Sequence, residues 1–455
     1  NLQRLLKGTM VFVGMIGFVL AALTFFGAVW IARAMFNMDE VAPSLRVLAP
    51  TIFVCALLGV YRGYFQGKNS MMPTAISQII EQIIHAVVSV AAAWLLIGLG
   101  PSMGAAGGTL GTFLGAVGGL GFCVLIYHLY EPTVRRMLRK DRTPRRDLIT
   151  YHNVFKLVAL TMAPIILSQT MYQLGGVVDA LLFHNILDGI GYSASVRAEL
   201  IGIYSGEYKL LINVPLALTS SIGIALIPTV TRSVTQHKKR EVYGKINQII
   251  RLTMVVALPC CAGLMVIARP IMQLVFADSS QLASSLLVLG APTIAFYSLS
   301  TVTISILQGI HRMRAPVIHS TIAMAVHAGA LAVLLRFADM NIYAFIYGNY
   351  VFAFIMCILN LRALKKYIGY RQEYKRSVFI PIIICLIMAI FTRLIYSGIY
   401  TLTGSLAAGV AAAIVIAVII YGLLTVITGV LSEDDLMSMP KGRSIVNICR
   451  KIHIL

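Results

Sequence analysis

Acidic side chains are scarce in this 455-residue chain, 17 against 37 lysines and arginines, and charged residues of both signs reach only 12%. A soluble protein of that length needs a far more polar surface, so a soluble fold is excluded. Catalytic machinery is missing as well. No GxxxxGK(S/T) loop occurs, and "GYFQGKN" at residues 63–69 has the wrong spacing, so the chain has no phosphate cradle for hydrolysing ATP. There is no HExxH and no GxSxG. The seven cysteines form neither a metal-ligand spacing nor an external disulfide pair, and they read as small core residues. No segment reads as a cleaved signal peptide, and the short connections leave no room for a soluble catalytic domain. The chain is therefore expected not to be an enzyme and to need no cofactor.

What the chain has in abundance is apolar sequence: 58% of residues are hydrophobic and the mean hydropathy is +0.85. The apolar residues come in runs of about 20 or more, long enough to cross the ~30 Å hydrocarbon core as helices. Twelve spans are expected, at residues 9–33, 45–66, 75–98, 104–128, 154–183, 200–231, 246–276, 285–308, 316–337, 342–363, 378–399 and 406–430. They run continuously apolar rather than alternating, which fits helices and not a β-barrel. The fold class is an all-α polytopic membrane protein. With the ends numbered alternately, roughly 30 of the 37 basic residues fall on one side. That side reads as cytoplasmic, with both termini, in a multi-pass plasma membrane protein. The bilayer is thus one partner, and nucleic acid is not expected because the basic segments lack interleaved aromatics.

One pattern is written twice. "FQGKNSMMPTAISQIIEQIIH" at residues 65–85 is matched by "LQGIHRMRAPVIHSTIAMAVH" at residues 307–327. "LRVLAPTIF" (45–53) faces "LLVLGAPTIAF" (286–296), and "WIARAMF" (30–36) faces "VIARPIMQLVF" (266–276). Spans one to four therefore pair with spans seven to ten in the same orientation, as in transporters built from parallel repeats. The expected architecture is two pseudo-symmetric lobes: an N-lobe remnant of four helices (1–130) and a six-helix C-lobe (150–366). A two-helix hairpin (377–430) and a cytoplasmic tail (431–455) follow. Spans five and six have no partner upstream, so two helices are expected to precede residue 1. Pro164, Pro215, Pro228 and Pro259 inside spans permit kinks. Gly107, Gly111, Gly115 and Gly119 give span four a bare stripe for close helix contact.

Ionisable residues within spans are costly and normally face a cavity. Glu81 and His85 are four apart on one helix face, and His327 is the repeat partner of His85. Glu207 and Lys209 fall near the middle of span six, two apart and so on different faces, with Asn213 one turn further on. These six are the candidate substrate or cavity residues, each weighed against a structural hydrogen bond. Asp179, Arg197 and Glu199 lie near span ends, where interfacial solvation accounts for them; as a sharper reading they are gate candidates. Arg62 can snorkel.

The segment "YRGYFQGKNSMMPTAISQIIEQ", with "INVPLALTSSIGIALIPTVT" in span six and the closing "LSEDDLMSMPKGRSIVNICRK", resembles the polysaccharide-transporter branch of the multidrug/oligosaccharidyl-lipid/polysaccharide exporter superfamily. More narrowly it is similar to the stage V sporulation protein B and MurJ-type lipid II flippases of Gram-positive bacteria. The resemblance implies a monomeric alternating-access flippase with a cationic cavity for the pyrophosphate-sugar head of a lipid-linked glycan, used in peptidoglycan or polysaccharide biosynthesis. It also implies a groove at the last two helices for the polyprenyl chain, and coupling to an ion gradient or membrane potential. The family's cationic cavity draws much of its charge from two helices that this chain lacks, leaving Lys209 as the strongly basic mid-span residue. The alternatives are a capsule or teichoic precursor flippase, a cation-coupled drug exporter, and a non-transporting scaffold for envelope or spore-coat assembly.

Overall fold

Long apolar runs leave the backbone no hydrogen-bonding partner but itself in a bilayer. The described residues are accordingly helices joined by short turns, with no strand among them. The structure, a computed structural model, describes residues 2–36, 39–68, 70–140, 150–236, 239–338, 340–437 and 446–447. The chain divides into two compact units, Asn1–Ala163 and Pro164–Leu455.

The first unit holds α1 (Leu2–Phe36), α2 (Ala42–Gly67), α3 (Met72–Leu96), α4 (Pro101–Lys140) and the opening turns of α5 (Tyr151–Ile190). Its tightest seam is α3 against α4, and the glycine stripe explains why. A Cβ on Gly107 would lie 2.5 Å from the Ala92 carbonyl oxygen, and one on Gly111 would lie 2.1 Å from Ser89 Oγ. One on Gly115 would lie 2.7 Å from the Glu81 oxygen. These are close approaches, two of them to backbone carbonyls, that only glycine permits. Gly108, one residue off the stripe, meets nothing.

The second unit continues with α6 (Ala194–Gly202), a π-helical turn (Ile203–Tyr208) and α7 (Lys209–Thr235). Next come α8 (Lys239–Val266), α9 (Ala268–Phe276), α10 (Gln281–Gly290), α11 (Thr293–Gly309), α12 (Arg314–Phe337) and α13 (Tyr343–Ile368). After a second π turn (Lys375–Phe379), α14 (Ile380–Thr403) and α15 (Leu406–Ile427) form the hairpin, and α16 (Glu433–Met437) follows. α14 packs on α15 and on α8. At the start of the tail, Arg251 on α8 holds the buried Asp435 at 2.6 Å. The rest of that tail, 438–445 and 448–455, lies outside the described residues, as do residues 141–149 of the basic segment after span four.

All twelve expected spans are helical, but they do not all cross as single rods. Among the described residues nine helices are long and apolar enough to do so, or ten when the pair α10 and α11, bent by 42°, counts as one. The remaining two expected spans are α5 and the α6–α7 rod, which carry Asp179, Arg197, Glu207 and Lys209.

The repeated motif is the same local structure twice. α2 ends at Gly67 and α11 at Gly309, each just after a glutamine, and a short turn then starts α3 or α12. Ser70 N–H donates to Phe65 O at 3.0 Å, and at the equivalent positions Arg312 N–H donates to Leu307 O at 2.9 Å. This six-to-one bond closes a Schellman turn. In the second copy the residue that bends it is His311, at φ 61°; histidine tolerates the left-handed region better than bulkier residues.

Candidate functional site

The interruptions in the helices of the second unit cluster around one spot. The π turn before α7 stacks Tyr204 on Tyr208 with ring centroids 5.2 Å apart, both rings buried. Tyr208 lies across the end of α10, where a Cβ on Gly290 would come within 2.2 Å of its ring. The break between α10 and α11 frees the Gly290 carbonyl, which accepts the Thr293 hydroxyl at 2.6 Å. A π bulge and a helix break, set face to face, open a gap between packed helices. The result is a partly open cavity of about 190 Å3, with Asp179, Lys209, Asn213 and His327 on its wall together with Tyr204 and Asn349.

At the cavity wall, His327 Nε2 and Asp179 Oδ1 are 2.6 Å apart, tying α12 to α5. The residues are 2% and 6% exposed. Asp179 is therefore not solvated at an interface, as its place near a span end suggested. It is held inside the unit by a histidine from 148 residues away. The imidazole fits because Gly348 on α13 has no side chain: a Cβ there would sit 2.9 Å from the ring. Nδ1 has no hydrogen-bond partner. Beside the pair runs a relay in which Tyr297 OH donates to Asn349 Oδ1 at 2.9 Å and Asn349 Nδ2 donates to Tyr204 OH at 2.8 Å.

Lys209, at the first residue of α7, reaches the cavity across Gly176, its Nζ 6.0 Å from the Tyr204 ring centroid. Glu207 points elsewhere. Its carboxyl faces that of Asp278 in the turn after α9, and its Oε2 lacks a hydrogen-bond partner. Residues two apart on a helical rod do occupy different faces, and the structure keeps Lys209 in the cavity and Glu207 out of it. Asp278 is held below the ordinary carboxylate range, chiefly by the Ser280 backbone N–H at 2.6 Å and also by the Ser280 hydroxyl at 2.9 Å.

The remaining candidates disperse. Glu81 belongs to the first unit, where Arg62 takes its carboxylate at 2.6 Å and Ser77 Oγ at 2.9 Å; Arg62 is paired rather than snorkelling. His85 is half-buried against the α4 stripe, with its Cβ 3.2 Å from where a Cβ on Gly115 would be. Arg197 is buried, ion-paired to Asp188 and donating to the His184 carbonyl at 3.4 Å, so interfacial solvation does not describe it either. Glu199 is exposed. Tyr204, Tyr297 and Asn349 were not anticipated. Asn349, an amide inside an otherwise apolar run, carried the one sequence signal that pointed to them.

Two family models match the chain: one described as polysaccharide biosynthesis protein, over residues 3–234, and one described as MatE, over residues 210–333. Among curated proteins, the chain is 25% identical over 374 residues to the lipid II flippase MurJ of Bacillus subtilis (strain 168), covering 79% of this chain and 66% of that protein. It is 23% identical over 332 residues to stage V sporulation protein B of the same organism, covering 73% and 63%. The chain thus spans slightly less than two thirds of the length of these relatives. Among solved structures, a lipid II flippase MurJ in an inward closed conformation matches with TM-score 0.62 at 15% identity, covering 93% of this chain and 83% of that one. An inward-facing multidrug resistance MATE family transporter of the MOP superfamily matches with TM-score 0.58 at 16% identity, covering 79% and 80%. At those identities the likeness is one of fold.

Proposed function

The chain belongs to the polysaccharide biosynthesis protein family, and on that premise we propose that it is a flippase of a polyprenyl-pyrophosphate-linked glycan precursor, lipid II foremost, in a bacterial plasma membrane. The observation that carries the reading is a lysine and a buried acid–histidine pair on the wall of one cavity within a membrane-spanning bundle. Such groups are expensive in a bilayer and persist where a polar cargo or ion passes. The sporulation and lipid II relatives support the cargo class.

In this reading Lys209 presents its ammonium to a phosphate oxygen as a point charge. Asn213, a turn further along α7, offers amide donors beside it. A cavity of about 190 Å3 is smaller than the ~300–1,000 Å3 usual for ligand pockets. It accommodates an anionic group and not a glycan, so the sugars and the polyprenyl chain lie outside it. The Asp179–His327 pair is where gain or loss of a cation would be felt, which joins the cavity to an ion gradient or membrane potential as the energy source. The termini and basic loops lie on the cytoplasmic side, as the lysine and arginine bias directs. Alternating access then carries the head group between leaflets.

The test is lipid II translocation in proteoliposomes containing the full-length protein. Lys209→Ala is expected to lower the rate at least about tenfold, the loss of one charge-assisted hydrogen bond, with Lys209→Arg retaining most of it. Unchanged translocation in Lys209→Ala removes the site assignment. Absence of translocation by the intact protein, with transport of a capsule or teichoic precursor instead, moves the cargo within the class. A cation-coupled drug exporter, which the MatE match over 210–333 favours, would instead accumulate organic cations in the same vesicles. A non-transporting scaffold would move none of these.

A further inference from the structure

The two copies of the repeat treat one arginine differently. In "WIARAMF", Arg33 is clasped by Asp39 in a two-pronged ion pair, Nε to Oδ1 at 2.6 Å and Nη2 to Oδ2 at 2.9 Å. In "VIARPIMQLVF" the matching residue is Arg269, and the extra turn "PIMQ" carries the next acid, Asp278, out of register. Asp278 is engaged instead by Ser280 and Glu207. Arg269 has no ion pair among the described residues.

Arg269 lines a cavity of about 450 Å3, and a second arginine, Arg393 of α14, lines it too. Arg393 likewise has no ion pair among the described residues. Both arginines are exposed on the surface of the unit, where a guanidinium without a protein partner meets water or a lipid head group. The other polar groups on the wall are donors or neutral: Gln281, Ser284 and Ser285. Ser284 Oγ already donates to the Ser280 and Gln281 carbonyls, and Gln281 Nε2 donates to Ser285 Oγ at 3.5 Å.

The walls are apolar where they meet lipid. Met265 and Leu289 line the cavity and are 39% exposed each, and Ile390 and Leu394, flanking Arg393 on α14, are 61% exposed each. Exposed positive charge, serine hydroxyls beside it and apolar neighbours suit an amphiphile with an anionic head. We propose that Arg269 and Arg393 form a binding site for the phosphate head group of a membrane lipid, between α9, α10 and the α14–α15 hairpin. It is separate from the Asp179 cavity and does not rest on the transport reading. Guanidinium pairs hold phosphate oxygens bidentately, so the site favours phosphatidylglycerol-type or polyprenyl phosphate heads over zwitterionic ones.

The experiment is native mass spectrometry of the full chain in detergent, titrated with phosphatidylglycerol, with phosphatidylcholine as the parallel probe. The first phosphatidylglycerol adduct is expected to weaken about tenfold in Arg393→Gln and further in the double variant Arg269→Gln/Arg393→Gln. Phosphatidylcholine binding stays the same in all of them. Arg393→Lys, which keeps the charge, retains affinity within about twofold, and equal thermal midpoints establish that the variants are folded. Undiminished phosphatidylglycerol binding by the folded double variant overturns the proposal and leaves the arginines as snorkelling side chains. Displacement of the lipid by millimolar inorganic phosphate also overturns it, by making the site one for a soluble anion.

Discussion

Asp179→Ala is the substitution on which the cavity reading can be measured most sharply. The pair it breaks is buried, 2% and 6% exposed, and close, at 2.6 Å. Two magnitudes compete. A hydrogen bond between membrane helices couples its partners by only ~0.6 kcal/mol on average, because the unfolded chain in the bilayer finds partners too. Removing one member of a buried ion pair costs ~3–5 kcal/mol, since the other charge is left without compensation. The enclosure of Asp179 and His327, with Nδ1 of the histidine pressed against Gly348 and away from water, places the pair in the second regime. Asp179→Ala and His327→Ala should each lower the thermal midpoint by roughly 10 °C, at ~2–4 °C per kcal/mol for a unit of this size. The double variant should lose little more than either single one, a coupling of at least ~2 kcal/mol. Thermal unfolding of the four proteins, in one detergent and at one scan rate, reads this directly. Additive losses, with coupling near ~0.6 kcal/mol, would refute the argument: the pair would then be an ordinary interhelical hydrogen bond.

Three further outcomes are expected. Gly111→Val, whose Cβ would lie 2.1 Å from Ser89 Oγ and 2.6 Å from the His85 carbonyl oxygen, should destabilise the α3–α4 seam by ~1–3 kcal/mol, whereas Gly108→Val, facing open space, should be nearly silent in the same melting assay. Arg62→Lys keeps the charge but cannot serve Ser77 and Glu81 together; a loss of ~1 kcal/mol is expected, and a double-mutant cycle with Ser77→Ala should recover it. Asp278 has its carboxyl pKa held below the ordinary 3.8, so its contribution to the Ser280 cap is complete above pH 3.8 and is lost as pH falls through the lower folded value. Asp278→Asn should therefore flatten the acid limb of a stability-against-pH profile and leave neutral pH almost untouched.

The helical architecture was legible because hydropathy alone forces it, and the duplicated motif was legible down to its turn. Both Gln-Gly copies close with the same six-to-one hydrogen bond, since turn geometry is set by a few consecutive residues. Lys209 and Asn213, both candidates from the sequence, lie on the wall of one cavity, since four residues on a helix is close to a full turn. The sequence did not disclose which acid meets which base. Glu207 was expected to line the cavity with Lys209 and instead faces Asp278. Asp179 looked interfacial and instead meets His327. Pairings of this kind depend on where a π turn and a 42° bend rotate whole helices, and no local pattern in the residues encodes that rotation. Glu81 shows the same limit from the other side: its spacing from His85 is helical, yet its charge is answered from α2 by Arg62.

The repeat supplies its own control for the buried pair. His85 and His327 hold equivalent places in the two copies, each against a glycine of the helix that follows, Gly115 for one and Gly348 for the other. His85 makes that contact through its Cβ and is half-buried, whereas His327 makes it through its ring and is 2% exposed. The acid differs as well. His327 has Asp179, supplied by α5, whereas the acid nearest His85 along its helix, Glu81, is already taken by Arg62. If burial beside a carboxylate is what makes the histidine costly to remove, His85→Ala should cost less than ~1 kcal/mol and His327→Ala at least ~3 kcal/mol. Transport, measured in the same preparations, should follow the second and ignore the first. Equal costs for the two would mean that the charge of Asp179 adds nothing to the hold on His327.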